Sequence, residues 1–181
     1  LEASDRAFGY RLLLFWLQQF DVQSGQYISY RDLDYQNLIS WLEFVSEIEP
    51  ESQYPMLLAS RIYSRVADEN RVKAILDYIY IKFQQNPAKN WRWLAEATVI
   101  ARHTLKDQGL SLKYATALAN SSNKEIPHWA RDMRLIILED MGETEQLKLI
   151  VGGLIASKTV TDRNEIRFLD LLLQRLQNKD K

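Results

Sequence analysis

The chain has 181 residues and a mass of 21.3 kDa, with 23 Lys plus Arg against 24 Asp plus Glu and a net charge of −1. That balance excludes a strongly basic nucleic-acid binder and an acidic disordered tail, while 46% apolar residues with only 6 Gly and 4 Pro are those of a globular domain. The absence of cysteine removes disulfides, zinc ribbons, iron–sulfur clusters and thiol catalysis together.

The chain opens Leu1-Glu2-Ala3 without Met, as expected of a fragment or processed form with a signal or anchor helix upstream. The first predicted helix, 4–20, carries Leu12 to Leu17, the longest uncharged apolar run. Six residues fall far short of the roughly 20 needed to span a bilayer, so no membrane span is expected within the chain. Its all-round apolar character predicts burial on several sides, by docking across the body. Residues 21–29 read as a surface loop. Helices are then predicted over 30–48, 53–66, 69–85, 90–106, 109–121, 127–141, 143–157 and 162–177, about nine in all. The spacing of Val72, Ile75, Leu76, Ile79 and Phe83 is the strongest amphipathic stripe. Pro50, Pro55, Pro87 and Pro127 mark junctions or first turns, Gly109 and Gly142 mark tight turns, and Thr161 or Asp162 caps the last helix. Short links make successive helices antiparallel neighbours.

A repeat underlies this order. Prolines 50, 87 and 127 are 37 and 40 residues apart, and Trp91 and Trp129 are 38 apart. Two helices per interval belong to the α-solenoid class. Trp91, Leu94 and Ala95, then Gly109, Tyr114, Ala115 and Pro127, resemble the tetratricopeptide family. Tyr54, Leu58, Ala59, Ala74 and Pro87 extend the resemblance backward; Trp129 and Gly142 extend it forward, with Met133 replacing the small residue. It covers about 52–157, with a period longer than the family's 34. Tyr30-Arg31-Asp32-Leu33-Asp34-Tyr35 with Ser52-Gln53-Tyr54-Pro55 is also similar to uncharacterised proteobacterial proteins carrying such a domain behind a membrane anchor. That resemblance implies the periplasmic face of a bacterial inner membrane, and without an anchor the cytoplasm. The expected fold is all-α: an N-terminal helical cap over 1–50, tetratricopeptide-like pairs over 51–158 and a capping helix over 159–181, in one continuous domain.

Chemistry finds little purchase. His103 and His128 have neither Cys nor Glu-x-x-His company, and each reads as a surface or satisfied histidine. No metal or cofactor is expected. No Gly-x-Ser-x-Gly or phosphate-binding loop is present. Gly152-Gly153 lies inside a predicted helix, where close approach of a neighbouring helix is the expected reason. Glu43 and Glu47 read as a solvated face, and Asp32 and Asp34 as helix-start charges. The basic residues between Lys82 and Lys113 read as a soluble helix surface, so no nucleic-acid partner is expected.

The aromatic surplus, 5 Trp, 9 Tyr and 6 Phe, points instead to recognition. In a tetratricopeptide-like unit the first helix of each pair lines the concave face. The resemblance places Arg92 and Glu96 there from Trp91, Arg134 from Trp129, and Tyr63 from the earlier unit. These four residues are the expected binding set, and the expected function is a non-enzymatic scaffold or adaptor holding a peptide or helix of a protein partner in a groove. The rival is a helical enzyme or small-ligand carrier with a site buried between helices, for instance around Asp32, Asp34 and Tyr35. A third reading is a structural subunit of an envelope assembly.

Overall fold

The computed structural model describes residues 33–157 and 160–179, together with residues 9, 11, 12 and 15. Among the described residues there are eight full α-helices and no strand. The predicted loop 21–29 and Asp32 lie outside the described residues. So does most of the predicted first helix; Gly9, Arg11, Leu12 and Phe15 are helical, and Leu12 and Phe15 are exposed, not buried as expected.

The chain divides into two compact units, residues 1–97 and 98–181. The N-terminal unit contains α1 (Tyr35–Ile48), α2 (Tyr54–Arg61), a 3-10 turn (Tyr63–Arg65), α3 (Glu69–Gln85) and the first part of α4 (Pro87–His103). Asp34 starts α1 as its cap, its Oδ1 accepting from the Gln36 and Asn37 amides at 3.0 and 3.2 Å. Asp68 caps α3 in the same way, accepting from the Arg71 amide at 3.0 Å. The predicted stripe Val72, Ile75, Leu76, Ile79 and Phe83 is wholly buried. Helix α1 packs on α2 and α3 with Leu38, Leu42 and Val45 inside. Helix α2 ends earlier than expected, and the chain tightens into the 3-10 turn, where the Ser64 hydroxyl bonds back to the Ser60 carbonyl at 2.5 Å.

In the C-terminal unit, α5 (Gln108–Asn120) packs on α6 (His128–Met141), α6 on α7 (Thr144–Ala156), and α7 on α8 (Arg163–Lys179). Ser111 and Ala115 of α5 and Ala130 of α6 are small and buried. Leu135, Leu138, Leu147, Val151, Leu169, Leu172 and Leu176 form one apolar core. Burial of each such side chain contributes about 1.5–3 kcal/mol. Gly142 ends α6 with φ 75, and the Glu143 amide reaches back to the Leu138 carbonyl at 3.0 Å. Gly109, expected in a turn, instead lies in the first turn of α5, because Asp107 caps that helix through the Leu110 amide at 2.9 Å. The turn ahead of it is made by Lys106, at φ 54. Gly152 and Gly153 are also corrected: both are exposed, and among the described residues nothing within 4 Å would meet a Cβ at either.

Candidate functional site

The heads of α6 and α8 meet in a half-open cavity of about 450 Å3. Pro127, Trp129, Ile136 and Phe168 supply apolar and aromatic walls; His128, Asp132, Asp162, Asn164 and Glu165 supply the polar groups. Its residues are local in chain terms to two helix starts, and each start is fixed by identifiable chemistry.

Arg131 fixes the first. Its Nε donates to the Ile126 carbonyl at 3.2 Å and its Nη1 to those of Ala119 and Ser121 at 3.3 and 2.6 Å. Its Nη2 donates to the Asn123 carbonyl. One guanidinium thus gathers four carbonyls of the α5 end and the 121–127 link, and Ile126 is buried beneath it. This holds Pro127 in the extended conformation from which α6 departs. Asp162 fixes the second: its Oδ1 accepts from the Asn164 and Glu165 amides at 2.8 and 3.0 Å. Of the two expected caps, Asp162 is the one used, and Glu165 is turned toward α6.

There Glu165 Oε2 lies 2.6 Å from His128 Nδ1. No well-formed hydrogen bond reaches that buried oxygen, so the contact is one of charge and proximity. Glu165 is 8% exposed, whereas the His128 side chain is mostly solvated. Asp132 follows His128 by one helical turn, on the same face. Burial, reinforced by repulsion from Glu165 and partly offset by His128, pushes its carboxyl up to about 6. Beside them Trp129 is 58% exposed at the cavity rim. Among the described residues no group of three or more His, Asp or Glu is arranged to hold a metal ion.

The four residues expected to bind are placed elsewhere. Tyr63 is 3% exposed, so its side chain is core and not groove lining; its carbonyl accepts the Tyr35 hydroxyl at 3.1 Å. Glu96 is paired with Arg61 at 2.9 Å. Arg92 is exposed, its guanidinium 5.2 Å from the centre of the Trp91 ring. Arg134 is half-buried, donating to Asn120 Oδ1 at 3.3 Å, and burial lowers its pKa. Arg92 and Glu96 share α4; Tyr63 precedes them in the N-terminal unit and Arg134 belongs to the C-terminal one.

The sequence reading gives His128 as a surface or satisfied histidine and Trp129 as a repeat marker, and singles out neither Asp132 nor Glu165 as a site residue. The i, i+4 spacing of His128 and Asp132 was a local signal for the first half of the site. Nothing local signalled that Glu165, 37 residues after His128, would complete it. Among the described residues no helix is long and apolar enough to cross a membrane. Set against protein-family models, curated proteins and solved structures, the chain finds no match.

Proposed function

We propose that the chain is a helical interaction domain that holds an extended segment of a partner protein, without turnover, and that its helix pairs are tetratricopeptide-like hairpins. The observation that carries the reading is the half-open apolar cavity at the heads of α6 and α8, with Trp129 exposed at its rim. Exposed aromatics beside a pocket are the usual anchors of protein recognition. Among the described residues the lining contains no Ser, Thr, Tyr, Lys or Arg. Consecutive pairing of α5 with α6, α6 with α7 and α7 with α8 supports the hairpin reading.

Selection of random twelve-residue peptides against the whole chain tests this. Enriched peptides should bind the parent chain and lose about tenfold or more in affinity to Trp129→Ala, as truncation of an aromatic anchor does. No enrichment, or enriched peptides indifferent to Trp129→Ala, would contradict the reading. A second reading, a small-ligand carrier, draws on the cavity volume, which falls within the range of small-molecule sites. It predicts that a small-molecule library, and not the peptides, protects the Trp129 indole.

A further inference from the structure

We infer that the cavity at the heads of α6 and α8 takes an arginine side chain of the partner, with its guanidinium between Asp132 and Glu165 and its stem along Trp129, Ile136 and Phe168. The inference rests on the interaction reading above and names the chemistry of the same site.

Charge complementarity argues for a cation. Among the described residues three carboxylates line the cavity, Asp132, Asp162 and Glu165, against one histidine and no Lys or Arg. Asp162 is committed to capping α8. Glu165 is more than nine-tenths buried, yet its Oε2 accepts no hydrogen bond, and the imidazole beside it is a cation only when protonated. Asp132 is half-buried, and Glu165 repels it. A buried carboxylate left without donors is unfavourable, and an incoming cation relieves both at once.

The walls argue for a guanidinium in particular. An ammonium is compact and strongly hydrated; a guanidinium is planar, less hydrated, stacks on aromatic faces and donates in a fork matched to carboxylates. The indole of Trp129 and the ring of Phe168 both line the cavity, and most of the lining is apolar. An arginine stem is apolar along its length and fits such walls. The cavity, at about 450 Å3, has room for one such side chain and the backbone that carries it.

The probe is Nα-acetyl-L-arginine methylamide, with the citrulline and lysine analogues as controls, titrated into the whole chain and read by the Trp129 indole and His128 ring NMR signals. Citrulline keeps the shape and removes the charge. The arginine compound should shift both signals and bind at least about tenfold more tightly than citrulline, the size expected for charge-assisted hydrogen bonds. Asp132→Asn, which keeps the side-chain volume, should lose about the same factor while its circular dichroism spectrum is unchanged. Equal binding of citrulline overturns the charge argument, and equal binding of lysine overturns the guanidinium. Zn2+ or Mn2+ alone shifting the His128 signal at micromolar concentration overturns the assignment in favour of a metal. Selected peptides that lack arginine but depend on Trp129 leave the interaction reading standing and overturn only this one. Arginine binding with no peptide ever selected overturns the reading that a protein supplies it.

Discussion

The two units differ in how certain polar and aromatic side chains are placed. In the N-terminal unit the polar ends of large side chains are consumed internally. The Tyr35 hydroxyl donates to the Tyr63 carbonyl at 3.1 Å, Trp93 Nε1 to Gln53 Oε1 at 2.5 Å, and Asn90 Nδ2 to the Lys82 carbonyl at 2.8 Å. Tyr78, pushed up to about 12 mainly by burial, sits beside the Ser46 hydroxyl and stays neutral. In the C-terminal unit Asp132 is half-buried and repelled by Glu165, Glu165 Oε2 accepts no hydrogen bond, Trp129 is exposed, and Leu149 is 78% exposed near two glycines that no described residue covers. A buried carboxylate oxygen without a donor lowers stability.

Substitutions can break or sharpen that contrast. The largest effect should come from Arg131→Met, which strips four carbonyls of their shared donor. It should destabilise the chain by about 3 kcal/mol in urea unfolding, and an unchanged midpoint would show that the 121–127 link holds itself. Next, Gly152→Ala with Gly153→Ala should raise stability by about 1.5 kcal/mol, since both glycines are helical, exposed and without neighbours. A loss of stability there would mean the pair is covered and the contrast false.

Two further changes should have similar size and opposite sign. Tyr35→Phe removes a satisfied buried hydrogen bond in the N-terminal unit and should cost about 1 kcal/mol. Asp132→Asn removes a half-buried carboxylate that Glu165 repels and should stabilise at neutral pH. The sign follows from linkage. Asp132 holds its proton up to about 6 in the folded chain against the usual 3.8, so between those pH values the folded state binds more protons. Its contribution to stability is therefore lost as pH rises from about 4 to about 6, and the deficit persists above. Because the group is partly solvated, the deficit is about 1 kcal/mol after allowing for screening. Unfolding midpoints of parent and variant should converge at pH 4 and separate at pH 7. Smallest of all, Lys106→Gly should stabilise by about 0.5 kcal/mol, relieving a left-handed backbone of its side chain.

The helices were largely legible in the sequence because their signals are local. The stripe from Val72 to Phe83 needed only its spacing, and Asp34, Asp68 and Asp162 announced their caps by residue type. Boundaries slipped where two signals competed. Helix α4 starts at Pro87 and not at residue 90, because Asn86 Oδ1 caps it through the Lys89 amide at 3.1 Å and a proline in the first turn loses no hydrogen bond. Gly109 was read as a turn because glycine usually marks one, but Asp107 ahead of it is the stronger helix-start signal. The glycine pair at 152–153 was given a buried neighbour from propensity alone, which says that a glycine needs a reason and not what the reason is. The site was the least legible part. His128 and Asp132 share a helix face by their spacing, but their company with Glu165 arises only when α6 and α8 are brought together by the leucine core that both helices share with α7.

The most direct test of the C-terminal unit is the titration of the Asp132 side-chain carboxyl, followed by carbon NMR with and without Nα-acetyl-L-arginine methylamide. The account predicts a midpoint near 6 for the chain alone and a clear fall when the arginine compound is bound. A midpoint near the usual 3.8 in the chain alone, or one that the arginine compound leaves in place, would contradict it.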